Sequence, residues 1–211
     1  MSGKCSDSRN GWGASIVDAL STAIVMGQTD IVHDILEYIP SINFKRNGGL
    51  PRKVNVFETT IRYMGGLISA YDLLDSGLQV DLQVQDRQLI DNLLTQASVI
   101  AEELFIAFDT PTGIPINRVW IELNMKSSGL TENSIAGMGT LTLEWARLAE
   151  LSGQTRYMQA VLRSNEYILN ATLSEGLAPL HSGLLPTWID VRTGKFTDSW
   201  GSWGAGRDSA Y

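Results

Sequence analysis

Apolar residues recur three and four positions apart along six stretches, Ile16 to Met26, Ile31 to Tyr38, Val56 to Leu74, Gln88 to Ala107, Ser134 to Leu151 and Arg156 to Leu173. That spacing returns side chains to one helical face and predicts six helices. Strand-type alternation is confined to Val119 to Asn124 and Leu184 to Phe196, the second with a turn at Arg192-Thr193-Gly194. Gly and Pro fall between the helices, at Gly27, Pro40, Gly48-Gly49, Pro51, Gly77, Pro111, Gly113, Pro115, Gly129, Gly153 and Gly176, and no Pro lies inside one. The helices therefore come in pairs joined by loops, with short strands carried on the loops.

Polar positions divide the helices into two sets. "RQLIDNLLTQASVIAEEL" has the charges of a solvated face, whereas "GWGASIVDALSTAIVMG", "FETTIRYMGGLISAYDLLDSG" and "SIAGMGTLTLEWARLAELSG" are poor in charge and rich in small residues. The second set should be enclosed. An inner ring of low-charge helices backed by outer amphipathic ones is an all-α architecture, the α/α toroid, here with three hairpins in a single domain over residues 1–211. "SWGAGRDSAY" opens a fourth inner helix near Asp208 with less than two turns, so the pattern reads as truncated at the C-terminus.

Composition narrows the function classes. With 44% hydrophobic and 18% charged residues the chain is globular, and its net charge of -7 comes without any Lys/Arg block. Such a surface does not suit a phosphate backbone or an anionic leaflet, so no nucleic acid and no membrane partner is expected. No run approaches the roughly 18 apolar residues of a spanning helix, and "MSGKCSDSRNGWG" lacks the apolar core of a signal peptide. The one cysteine, Cys5, permits no internal disulfide and reads as an ordinary thiol.

Against this background the charges on the inner helices stand out. Glu58 and Arg62 lie one turn apart in a segment otherwise uncharged before Asp72, and Asp18 and Asp208 sit near the starts of two other inner helices. A surface ion pair and helix-capping acids account for them one by one. Convergence in one cavity would instead make a carboxylate-driven hydrolase, one acid protonating a leaving oxygen and another activating water. The aromatic residues Trp12, Phe57, Trp145, Trp200 and Trp203 are read as core rather than as a sugar platform, and His33 and His181 lack ligand spacing. Asn170-Ala171-Thr172 is a glycosylation sequon that matters only in a secretory compartment.

The segments "GWGASIVDALSTAIVMG", "VNVFETTIRYMGGLISAYDLL", "GTLTLEWARLAELSGQTRYMQ" and "GLLPTWIDVRTGKF…GAGRDSAY" together resemble the N-terminal half of class I α-1,2-mannosidases, glycoside hydrolase family 47, especially the fungal ones. The resemblance implies part of an (α/α)7 barrel and an inverting, calcium-dependent exo-hydrolase of α-1,2-linked mannose on high-mannose N-glycans. By the same resemblance Glu58 is the general acid, Asp208 the catalytic carboxylate acting on or through water, and Asp18, Arg62 and Arg118 contact substrate. It also implies a secretory-pathway or secreted location and a monomer at full length. Many members have acids where this chain has Ser21 and Gly137, and the family's direct calcium ligand has no counterpart here, so no metal ligand is assigned. The isolated chain is expected to be inactive. The competing readings are a mannosidase-like lectin that binds glycans without cleaving them, and a helical scaffold for protein contacts.

Overall fold

The computed structural model describes residues 9–46, 52–76, 87–126, 129–177 and 183–211. Cys5, His181, Gly48-Gly49, Pro51 and Gly77 lie outside the described residues. The first helical pair is α1 (Ala14–Val25) and α2 (Thr29–Tyr38), separated by Gly27 with φ 66°. A short strand β1 (Val54–Asn55) leads into α3 (Val56–Thr59), a π-helical turn over Thr60–Met64, and α4 (Gly65–Asp75). The single helix expected over this stretch is therefore one continuous helical run with a π-turn inside it. After α5 (Arg87–Leu104) and a 3₁₀ turn come β2 (Arg118–Trp120), β3 (Met125–Lys126) and β4 (Glu132–Ser134).

The next expected helix is broken, into α6 (Ile135–Gly139) and α7 (Thr142–Ser152), and α8 (Thr155–Leu169) ends four residues earlier than the periodicity suggests. β5 (Trp188–Asp190) pairs antiparallel with β4, while β1, β2 and β3 form a second small antiparallel sheet. The turn read at Arg192-Thr193-Gly194 is present. Asp190 Oδ1 accepts from the backbone N–H groups of Arg192 and Thr193 at 2.7 and 3.1 Å, and the Arg192 guanidinium beside it holds the Asp190 carboxyl below the usual range. Asp208–Ala210 forms only a 3₁₀ turn.

The two layers are real. α1, α4 and α7 contact one another in turn, α2 packs on α1, α5 on α4, and α8 on α7. Between the layers lie two aromatic clusters. Trp12, Phe44 and Tyr63 meet edge-on with centroids 5.2 to 5.6 Å apart, and Phe105 and Phe108 pack around Trp145 and Tyr157. Their polar tips are satisfied: Trp12 Nε1 donates to the Arg46 carbonyl, Trp145 Nε1 to Thr60 Oγ1, and Tyr63 Oη to the Arg9 carbonyl. The buried Gln96 amide likewise donates to the Ile39 and Ile42 carbonyls.

The double glycine at the start of α4 marks the closest approach of the inner helices. A Cβ on Gly66 would stand 3.0 Å from the Val17 carbonyl oxygen of α1, whereas one on Gly65 would meet the Glu144 side chain of α7 at 3.4 Å. A backbone atom cannot yield as a side-chain end can. Gly66→Ala should therefore lower the free energy of unfolding by about 1–3 kcal/mol. Gly65→Ala, which gains helix propensity against an ordinary contact, should leave it within about 1 kcal/mol. Urea denaturation of the two variants checks the contrast.

Candidate active site

Three side chains predicted from sequence come together at the α1–α3 junction. Arg62 Nε donates to Glu58 Oε2 at 2.8 Å, and Arg62 Nη1 to Asp18 Oδ2 at 3.1 Å. The fourth member was not foreseen: Arg9 Nη1 donates to the same Glu58 oxygen at 2.8 Å. Glu58 Oε2 is thus held between two guanidinium groups, and no described residue donates to Oε1. Glu58 and Arg62 are each about one-third exposed, at 30% and 33%, so these ion pairs add only about 0–1 kcal/mol apiece. Stability alone does not account for the arrangement.

Local sequence explains how Glu58 is aimed. Asn55 caps α3, its Oδ1 accepting from the Glu58 N–H at 2.9 Å, and Asn117 Oδ1 accepts from the Phe57 N–H at 2.9 Å. The Val56 N–H donates to the Asn117 carbonyl as well. Three of the helix's first free N–H groups are satisfied by the strand β1 residue before it and by the loop leading into β2. Arg9 is brought in by the core, because Tyr63 from the π-turn binds its carbonyl while Trp12, three residues on, is buried. The Asn55-x-x-Glu58 cap was readable as a helix start signal. Nothing in the polar stretch around Arg9 pointed to it.

Glu58 lines a cleft of about 160 Å³ with Arg9, Lys53, Asn55 and Tyr63. Asp208 lies in a second cleft of about 320 Å³, lined also by Phe57, Asn117, Ser134 and Gly137. The two clefts are lined by consecutive residues, Glu58 in the first and Phe57 in the second, and each contains the asparagine that accepts from that residue's N–H, Asn55 and Asn117 respectively. Asp208 makes no bond to the Glu58 cluster. Arg118 is exposed on β2, directly across the ladder from Asn55, and its side chain forms no ion pair or hydrogen bond with a described residue. Of the aromatic candidates, Trp12 and Trp145 are core, Phe57 is half-buried at the Asp208 cleft, and Trp200 and Trp203 are exposed. His33 makes only an exposed contact with Glu37, one turn along α2.

The glycine at 137 is locked in place. A Cβ there would fall 2.3 Å from Asn133 Oδ1, and the buried Asn133 amide is itself fixed by donating to the Pro115 carbonyl and accepting from the Ser134 N–H. For calcium, no group of three or more His, Cys, Asp or Glu side chains is gathered among the described residues, and Asp18 and Glu58 face cations. The described residues do not fit a calcium centre.

Comparison with known proteins gives the class. The glycosyl hydrolase family 47 model matches residues 1–211, and the chain belongs to that family. Among its relatives is the probable mannosyl-oligosaccharide alpha-1,2-mannosidase 1B of Aspergillus fumigatus, 45% identical over the whole chain and 41% of the relative. The mannosyl-oligosaccharide alpha-1,2-mannosidase of Penicillium citrinum is 43% identical, over 97% of the chain and 39% of the relative. The solved alpha-1,2-mannosidase from Trichoderma reesei superposes with a TM-score of 0.90 at 43% identity, covering 97% of this chain and 41% of that one. The expected all-α, α/α-barrel fold is thereby established, and the chain spans about two fifths of the length of these relatives.

One half-buried acid was missed by sequence reasoning. Glu144, on the inner face of α7 against Gly65, has an Oε2 with no partner, and burial pushes its carboxyl from the ordinary 4.5 up to about 7. The folded state then holds the proton more tightly than the unfolded one, so stability is greatest below pH 4.5 and falls until about pH 7. At about 1.4 kcal/mol per unit, the loss has an upper bound of roughly 3 kcal/mol. Melting temperature measured across this window should fall in the native chain, and the neutral Glu144→Gln should remove this part of the slope.

Proposed function

We propose that this chain carries the general-acid part of an inverting α-1,2-mannosidase acting on terminal α-1,2-linked mannose of high-mannose N-glycans. The observation that supports it most is the Glu58 carboxyl, which lines a cleft and has Oε2 anchored by Arg9 and Arg62 while Oε1 takes no donor from a described residue. In this reading Oε1 delivers the proton to the leaving glycosidic oxygen, and Asn55 and Asn117 fix the helix end that aims it. Arg62, bridging Glu58 and Asp18, would hold the two carboxylates in register around the sugar, and Arg118 would reach an outer sugar hydroxyl.

Asp208 would act on the nucleophilic water from the neighbouring cleft. An inverting reaction needs about 6.5–9.5 Å between its two carboxyl groups so that water fits between them. In the whole protein the reading includes a calcium ion and a monomer working in the secretory pathway.

The chain alone, at about two fifths of its relatives' length, should release no mannose from a high-mannose glycan in the presence of calcium. In the full-length protein Glu58→Gln should lower kcat by about 10²–10⁴-fold with the fold intact. Unchanged turnover in that variant would remove Glu58 from the acid role.

A further inference from the structure

The described surface offers one site for covalent modification that the hydrolase reading leaves unused. Asn170-Ala171-Thr172 is the only Asn-x-Ser/Thr triplet in the chain. It follows directly on α8, where Asn170 is the C-terminal cap with φ -110° and ψ 48°, outside the helical region. From there the residues alternate: Asn170 and Thr172 are exposed, whereas Ala171 and Leu173 are half-buried against the core. The acceptor amide and the hydroxyl two residues on thus share the solvent side of an extended segment.

The backbone of this segment is fixed without help from those two side chains. The Phe196 N–H donates to the Thr172 carbonyl at 2.8 Å, and the Ser174 N–H to the Phe196 carbonyl at 2.9 Å, tying the segment to the arm that returns from the β5 turn. The Asn170 side chain makes a single bond, Nδ2 donating to the Glu166 carbonyl at 3.1 Å, and that carbonyl also accepts from the Asn170 backbone N–H at 2.9 Å. A substituted Nδ2 keeps one N–H, and the helix end keeps its backbone bond in any case. Beside it Leu169 is 81% exposed, an apolar side chain that a sugar stem would cover.

We propose that Asn170 is an N-glycosylation site, carrying an oligosaccharide on the outer end of α8. The co-reactant is a lipid-pyrophosphate-linked oligosaccharide. Asn170 Nδ2 forms a bond to the anomeric carbon, the bond from that carbon to the pyrophosphate oxygen breaks, the lipid pyrophosphate leaves, and one amide proton is lost to a base. This inference rests on the secretory-pathway reading above for its occurrence in the native organism. It does not rest on the mannosidase activity.

The test supplies the route. The chain is expressed in yeast behind a cleavable secretory leader and with a reporter Asn-Gly-Thr sequon appended at the C-terminus, so that use of the reporter proves translocation. Intact mass before and after an endoglycosidase that cleaves high-mannose cores should show two oligosaccharides on the native chain, one on Asn170→Gln, one on Thr172→Ala and two on Thr172→Ser. Circular dichroism of Asn170→Gln should match that of the deglycosylated native chain. A native chain modified at the reporter alone overturns the proposal, and that result leaves the hydrolase reading untouched.

Discussion

Everything at the site depends on how closely α1 and α4 approach over Gly66. The Val17 carbonyl rests where a side chain on Gly66 would begin, and Asp18 is the next residue of α1. Arg62 stands one turn before Gly66, and this contact sets Asp18 3.1 Å from its guanidinium. A wider spacing between the helices would leave Asp18 and Glu58 as separate surface acids. The small residue is therefore part of the site's geometry even though it lies outside the clefts.

The π-turn over Thr60–Met64 links that packing to the chemistry. Its buried side chains face two different clusters, Thr60 accepting from Trp145 and Tyr63 packing with Trp12 and Phe44, while Arg62 between them points toward the charges. Short π-helical segments are uncommon and concentrate at functional sites, where one extra residue in a turn re-aims neighbouring side chains. Here the turn gives α7, the N-terminal segment and α1 a common anchor. The acid and base noticed one turn apart in "FETTIR" share a helix whose surroundings are dictated from three sides.

Much of this was legible in the sequence because enclosure leaves a mark. Helices that touch other helices on both flanks must use small and uncharged residues, and α1, α4 and α7 were recognisable for that reason. The few charges on them were correspondingly informative, and Asp18, Glu58 and Arg62 do meet. What could not be read was any contact made by irregular chain. Arg9 reaches Glu58 from a segment with no period, and Asn117 orients α3 across 60 residues of sequence. The break between α6 and α7 was also hidden, since "SIAGMGTLTLEW" keeps its apolar spacing through the turn. Glu144 escaped notice because one acid on a long helix looks solvated until the partner helix is in place.

Gly137 and Asn133 carry a consequence for how this surface can change over time. At 137 this chain has a glycine wedged against an asparagine amide that is bonded on both sides. Introducing a carboxylate at 137 first would drive it into Asn133 Oδ1, and shortening Asn133 first would leave the Pro115 carbonyl without its donor. Neither single step is easy, and the two together can relieve each other. The two positions are therefore coupled: a carboxylate at 137 is reached only through a less stable intermediate sequence, whichever change comes first.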